Sequence, residues 1–312
     1  MQTAGIHHIT ALAADPRTNL DFYSGTLGLR LVKKTVNFDA PDVYHLYYGD
    51  GAGTPGTILT FFPWPDLRDG RPGAGQATAV GFRIAPEALA YWQDRLGEAG
   101  VRVGEPEERF GETVLAFQDP DGLPLELVAR VNPPAVAPWE SAPVPARYAI
   151  RGFAGLTLLE RQREPTEALL LDQLGYRTLA SAGERVRYLA SGPGPGETLD
   201  LLESSSQGPG VIAAGSVHHI AFRVADDAAQ AAARTALVAA GYSVSPVRDR
   251  QYFHSIYFNE PGGVLFELAT DPPGFATDET PESLGTSLKL PPWLESSRAR
   301  IEQKLPRLAY SG

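Results

Sequence analysis

A chain of 312 residues, 43% hydrophobic and 21% charged, can bury one large core or two ordinary ones. A formal net charge of −10 argues against nucleic acid or an anionic membrane as partner, because both attract basic surfaces. Cysteine is absent, which excludes disulfides, thiolate metal sites and a cysteine nucleophile, so any metal must be held by His, Asp or Glu. No apolar run approaches the ~20 residues of a membrane span. The opening "MQTAGIHHITALAADP" has no basic region followed by an apolar stretch, so no signal peptide is read there. The expectation is a cytoplasmic enzyme or binding protein.

The first apolar strand, "HHITALA", is followed by a helix-like segment, "DPRTNLDFYSGTLGLR", and then by "VYHLYYGD" and "TILTFFP". The same order returns three times. "TAVGFRI" precedes the helix "APEALAYWQDRLGEAGVR" and the strands "TVLAFQD" and "LPLELVA". "FAGLTLL" precedes "EPTEALLLDQLGYR", "RVRYLAS" and "TLDLLES". "VHHIAFRV" precedes "DDAAQAAARTALVAAGYS", "SIYFNEP" and "VLFELAT". Each helix opens near Pro or Asp and closes at Gly28, Gly100, Gly175 or Gly241, where a left-handed residue ends a helix well. Turn signals such as "DPDG", "EPGG" and "GDGAGTPG" separate the strands. Each unit thus reads as strand, helix, then two or three strands.

The fold expected is α+β. Four βαβββ modules pair into two cup-shaped, barrel-like mixed sheets, because one unit is too small to bury the inner face of its own curved sheet. Modules 1 and 2 are placed in 1–135, a Pro-rich linker in 136–147, modules 3 and 4 in 148–275, and a tail in 276–312 with a short helix from about Trp293 to Lys304.

Four of the six histidines form two doublets, His7–His8 and His218–His219, at equivalent places in modules 1 and 4. Registering the first strands puts His8 and His219 in one column, with Ala79 and Gly155 from the other modules. Registering the last strands puts Glu267, Glu126, Asp200 and Thr60 in another. Pairing modules 1 and 4 gathers His8, His219 and Glu267 in one cup and leaves the 2 and 3 cup without histidine. Pairing 1 with 2 and 3 with 4 splits the histidines and stays open as the alternative. The first pairing is preferred, because two imidazoles and one carboxylate with open positions are the ligand set of non-haem Fe(II) oxygenases. The same set also suits catalytic zinc. Alternation of side chains along a strand means that the two histidines of a doublet cannot both face inward. Glu126, lacking a histidine partner in its cup, reads as structural. Roles are left unassigned for His45 and His254, and His254 falls on the face opposite Tyr257 unless a bulge intervenes.

These residues carry a resemblance. The modules look like those of the vicinal-oxygen-chelate superfamily, which includes glyoxalase I, extradiol dioxygenases and antibiotic-resistance proteins. More narrowly, the N-terminal stretch through "GTILTFFP", "GSVHHIAFRV", "GGVLFELATDPPGFATDE" and "LKLPPW" resemble the hydroquinone-type ring-cleaving dioxygenases. The resemblance implies Fe(II), with Mn(II) or Zn(II) as substitutes, held by His8, His219 and Glu267. It implies Tyr257 and Arg250 near the substrate hydroxyls, and His7, Thr10 and His218 around the ligands. It implies cleavage of a substituted hydroquinone or related dihydroxylated aromatic with both atoms of O2 entering the product. Superfamily members often pair, so a homodimer is expected. The alternatives are a glyoxalase-type lyase or isomerase, for which Thr60 is a poor fourth ligand, and a non-catalytic resistance-type binding protein.

Overall fold

The computed structural model describes residues 2–131, 136–192 and 194–309. The module boundary expected at residue 135 lies outside them. Module 1 contains β1 (Ile6–Ala13), α1 (Pro16–Leu20), β2 (Arg30–Asn37), β3 (Ala40–Gly49) and β4 (Ile58–Pro63). Module 2 contains β5 (Gln76–Ile84), α2 (Leu89–Glu98), β6 (Glu107–Arg109), β7 (Glu112–Gln118) and β8 (Pro124–Ala129). Module 3 contains β9 (Phe153–Glu160), α3 (Glu164–Ala168), β10 (Arg177–Ala182), β11 (Arg185–Leu189) and β12 (Thr198–Glu203). Module 4 contains β13 (Ser216–Val224), α4 (Asp227–Ala239), β14 (Arg248–Asp249), β15 (Phe253–Asn259) and β16 (Leu265–Pro273).

The helix ends follow local chemistry. Asp15 and Asp226 cap α1 and α4, each accepting a hydrogen bond from the backbone N–H three residues on. Gly28, Gly100, Gly175 and Gly241 all have positive φ, the conformation that ends a helix at least cost. The helices of modules 1 and 3 are not regular throughout. They widen into π-helical turns at Asp21–Thr26 and Leu169–Gln173, closed by Leu27 N–H to Phe22 and Leu174 N–H to Leu169. The wider turn keeps Phe22, Tyr23, Leu169 and Leu170 buried in the core.

The strands form two eight-stranded mixed sheets. Their orders are β14-β15-β16-β13-β1-β4-β3-β2 and β10-β11-β12-β9-β5-β8-β7-β6. In each, two modules meet through their first strands, which run antiparallel, and each first strand is flanked by the parallel last strand of its own module. Helices and loops cover the sheets with apolar side chains. Trp92 of α2 is fully buried, and its indole N–H donates to the Tyr148 carbonyl. Burial of a ring that size is worth about 2–3 kcal/mol.

The tail is tied to module 1. It holds two short helices, α5 (Pro292–Glu295) and α6 (Arg298–Lys304), where the sequence suggests one. The fully buried Lys33 of β2 donates to Asp278 at 2.5 Å and to Glu279 at 2.6 Å. The Tyr44 hydroxyl donates to the Pro306 carbonyl, and Trp293 meets the Phe38 ring edge-on at 5.7 Å. Lys33→Met should cost about 3–5 kcal/mol, because it leaves buried Glu279 without its cation. Urea unfolding checks this. A loss under about 1 kcal/mol, typical of an exposed pair, would contradict it.

One buried carboxyl makes stability depend on pH. Glu160, at the end of β9, is buried with Oε1 lacking a hydrogen-bond partner. Burial and the neighbouring Glu260 push its carboxyl up to about 8. The folded protein therefore keeps a proton that the unfolded chain releases near the ordinary value of 4.5. Its contribution is fully present below that ordinary value and is lost as pH rises through about 8. Glu160→Gln should flatten the fall in stability between about pH 6 and pH 8, read from urea midpoints at the two values. An unchanged slope would show that Glu160 does not hold the proton.

Candidate metal centre

The first strands of modules 1 and 4 bring the histidine doublets together. Across the β1–β13 ladder Ile6 pairs with Phe222 and His8 with Ala221, so His7 is an extra, unpaired residue. On the partner strand Thr10 pairs with His219 and Ala11 with Val217, so His218 is the extra residue there. Each doublet thus sits on a β-bulge, which re-aims side chains that strict alternation would send to opposite faces. His7 Nδ1 lies 2.9 Å from His8 Nδ1, and His218 Nδ1 lies 2.8 Å from His219 Nδ1.

Glu267 arrives from β16, where it pairs with Ala221, two residues beyond His219. The ligand atoms of His8, His219 and Glu267 all lie within 4.8 Å of one another, and all three residues are buried. Glu267 Oε2 is 3.0 Å from His219 Nε2 and 3.5 Å from His8 Nε2. The Ser255 hydroxyl donates to the other oxygen. Oε2 has no hydrogen bond of proper geometry, although it is buried. With a proton on Nδ1 of His8 and of His219, shared with the neighbouring imidazole, both Nε2 lone pairs face the carboxylate. Three converging lone-pair donors with no proton between them suit a divalent cation.

Electrostatics agree with that donor set. Burial pushes the Glu267 carboxyl up, but the His8 and His219 imidazoles beside it more than offset this and hold it well below the usual range. Burial pulls the His219 imidazole down, and Glu267 opposes this only in part. His7 is held well below its ordinary value by burial and by His8, and His218 is lowered to about 4 by burial and by His219. A neutral imidazole at His219 beside an ionised Glu267 carboxylate is a pair of protonation states that metal binding requires.

A cavity of about 430 Å³ opens beside these groups, with Phe38, Phe62 and Phe253 among its walls. Arg250 and Tyr257 line it as well. Arg250 Nε donates to the Tyr257 hydroxyl at 3.0 Å, and Nη1 donates to Asp39 at 3.0 Å. Burial and the facing Glu267 push the Tyr257 phenol up, so the group is protonated at neutral pH. Thr10 is buried on β1 and accepts from Thr60. His254 stands at a register shift where β16 carries the extra residues, binds Asp227 outside the cavity, and has no part in the site.

Sequence reasoning missed Asp39, Phe253 and Tyr47, and although it singled out His45 without a role and Thr60 in the carboxylate column, it did not show that they bond to each other. His45 and Tyr47 share a strand face in "VYHLYYG", which was the available signal. Asp39 gave none, since its partner Arg250 lies far away along the chain.

The other sheet has the same frame and different contents. Ala79 and Gly155 stand in place of the histidines, and Thr78 and Ala154 are the extra residues of equivalent bulges. Glu126 and Asp200 hold the ladder positions of Glu267. Here they are met by arginines. Arg109 binds Glu126 with both carboxylate oxygens at 2.9 Å, Arg187 grips Asp200 at 2.7 and 3.0 Å, and Arg185 adds a contact at 3.1 Å. Glu112 joins Arg187 to Arg130, which reaches Glu197 and, through it, Arg83. A space of about 20 Å³ is left among them.

Comparison with known proteins fits this geometry. The profile of the Glyoxalase/Bleomycin resistance protein/Dioxygenase superfamily matches residues 5–127 and 155–268. The chain belongs to that superfamily. It is 47% identical to a Bacillus subtilis (strain 168) protein named "Putative ring-cleaving dioxygenase MhqO" over 97% of this chain and 96% of that one. It is 38% identical to the chlorohydroquinone/hydroquinone 1,2-dioxygenase of Sphingobium indicum (strain DSM 16413) over 95% and 94%. A crystal structure of a "putative dioxygenase" from Bacillus subtilis subsp. subtilis str. 168 superposes with a TM-score of 0.94 at 47% identity, covering 98% and 97%. Glyoxalase I from Zea mays shares the superfamily fold alone, with a TM-score of 0.64 at 14% identity over 86% and 92%.

Substitution tests the centre directly. His219→Ala should weaken divalent metal binding by more than the roughly 100-fold upper end seen for outer-shell partners, whereas His218→Phe should cost about 10- to 100-fold. Competition titration with a chromophoric chelator measures both. Equal affinities in all three proteins would place the metal elsewhere.

Proposed function

We propose that the protein is an Fe(II)-dependent ring-cleaving dioxygenase of the extradiol type, acting on a substituted hydroquinone or a related dihydroxylated aromatic. The observation that carries the reading is the convergence of His8, His219 and Glu267 at the floor of an aromatic-walled cavity. The name of the chlorohydroquinone/hydroquinone 1,2-dioxygenase supports the substrate class, and that of the ring-cleaving dioxygenase supports the reaction. Two imidazoles and one carboxylate with positions left open are the set of non-haem Fe(II) oxygenases, and ferrous iron is favoured over zinc, which suits the same ligands, because zinc has no one-electron chemistry to offer dioxygen. A ferrous ion there supplies Lewis acidity toward a ring hydroxyl and one-electron chemistry toward dioxygen.

The chain's own groups do the rest. Phe62, Phe253 and Phe38 clasp the ring and keep bulk water away from the reacting carbon. Tyr257 and Arg250 are placed to hold the ring oxygens, Tyr257 as a protonated phenol and Arg250 as a cation fixed by Asp39. His218, neutral at neutral pH and open to the cavity, can take the proton of a ring hydroxyl. His7 steadies His8 from the side away from Glu267. A ring carbon bond beside a hydroxyl-bearing carbon breaks, and both atoms of O2 enter the product. Glyoxalase-type isomerisation is disfavoured because Thr60, in the fourth ligand column, is already bonded to His45 and Thr10.

The test is anaerobic reconstitution with Fe(II), then oxygen uptake with methylhydroquinone, chlorohydroquinone and catechol. Uptake should match hydroquinone consumed mole for mole, both atoms of labelled oxygen should appear in product, and His219→Ala should abolish both iron and turnover. Iron-loaded protein that consumes no oxygen with any of the three would end the proposal.

A further inference from the structure

Strand β2 carries a second lysine beside Lys33, and it faces the other way. Lys33 and Thr35 pair across the ladder with Tyr47 and His45, which line the cavity of the metal centre. Lys34 pairs with Leu46, a residue packed into the apolar core with Leu20 of α1. Alternation along the strand thus sends Lys34 to the face that α1 covers. The residue is 8% exposed.

The two lysines are treated differently. Lys33 is held by Asp278 and Glu279. Among the described residues, nothing accepts a hydrogen bond from the Lys34 ammonium, and no carboxylate lies within ion-pair distance of it. Glu279 acts on it through space, but that carboxylate is already taken by Lys33, by the Gly285 N–H and by the Ser287 hydroxyl. Burial pulls the Lys34 ammonium below its ordinary value, and Glu279 opposes this only in part. A lysine that merely snorkels keeps its charged head in bulk water, whereas an unpaired ammonium this far buried is costly to the fold.

A cavity of about 660 Å³ opens at this point, and Lys34 lines it. Ser24 lines it as well, with a hydroxyl that is buried and has no hydrogen-bond partner. Arg17 and Asp21 are on the same wall but are bound to each other at 2.9 Å, so the ammonium of Lys34 is the charge left over. A surplus cation stands out in a chain of net charge −10. The rest of the wall includes Leu20, Pro143 and the half-buried indole of Trp139. No residue lines both this cavity and that of the metal centre.

Two buried polar groups without partners, brought by different elements to one cavity, match a ligand that supplies what both lack. The ammonium wants an anion, and the hydroxyl has a proton to give. The indole offers a flat apolar surface beside them. We propose that this cavity is a binding site for a small aromatic carboxylate, its oxygens taken by Lys34 and Ser24 and its ring by Trp139. The site is independent of the function proposed above.

Benzoate is the probe, added to the full chain loaded with diamagnetic Zn(II). The chain has four tryptophans, so each indole N–H gives a separable signal in a nitrogen–proton NMR spectrum, and Trp139→Phe identifies the one at the site. That signal should move and saturate with a millimolar Kd, the scale for a ligand of this size. Reading the Trp139 signal separates this site from benzoate bound at the metal. Lys34→Met should weaken binding by roughly 10- to 100-fold, the usual effect of a charged hydrogen bond, and Ser24→Ala by roughly 3- to 10-fold. Lys34→Arg should keep it. Acetate and inorganic phosphate should bind more weakly than benzoate, because neither has a ring for the indole. Lys34→Met should also fold, in contrast to the loss expected for Lys33→Met, because it removes a charge that has no partner. No saturation up to about 20 mM benzoate, or an unchanged Kd in Lys34→Met, would overturn the proposal. Loss of the fold in Lys34→Met would show that the protein itself uses the ammonium, and would overturn it too. Acetate or phosphate binding as tightly as benzoate would overturn the aromatic class of the ligand.

Discussion

The site depends on one contact, the antiparallel pairing of β1 with β13. These strands come from opposite ends of the sequence, and neither module alone has a full set of donors. Pairing sets His8 and His219 close enough to share an oxygen of Glu267. The two bulges in the ladder then give each inward histidine a second imidazole at its Nδ1. An imidazole held at one nitrogen presents the other in a fixed direction. The backbone irregularity is therefore part of the donor geometry.

The second sheet shows that the frame is not sufficient. It repeats the same ladder and the same bulges, and it places Glu126 and Asp200 where the first sheet has Glu267. What differs is charge. Glu126 and Asp200 face arginine side chains, which satisfy them and fill the space. Burying this many charges is tolerable because nearly every one is paired and hydrogen-bonded. In the first sheet Glu267 faces two imidazoles instead of arginines, and one of its oxygens lacks a proper hydrogen bond. A cation satisfies a carboxylate in both cases, supplied covalently by arginine in one cup and suited to a metal in the other.

The cavity over the first cup is closed from two directions. The turn between β2 and β3 carries Asp39, which anchors Arg250, and Phe38, which Trp293 of the tail meets from outside. The tail in turn is held by the buried ammonium of Lys33. A disturbance at Lys33 is therefore expected to reach the cavity wall through the tail and the hairpin tip.

The four modules were legible because a helix closed by glycine and flanked by apolar strands leaves a local periodic signature, and its repetition removes much of the ambiguity of any one copy. The column holding His8 and His219, and the column holding Glu267, were legible for the same reason: equivalent positions in repeated units carry equivalent geometry. Alternation along a strand, by contrast, misled about the doublets, because a bulge is an extra residue in one strand relative to its partner and leaves no mark in either strand alone. The choice between two ways of pairing the modules, the bond from Asp39 to Arg250, and the hydrogen-bond chain through His45 were decided only by tertiary structure. Each depends on which distant surfaces meet, and side-chain contacts between segments far apart in sequence have no period for a local pattern to reveal.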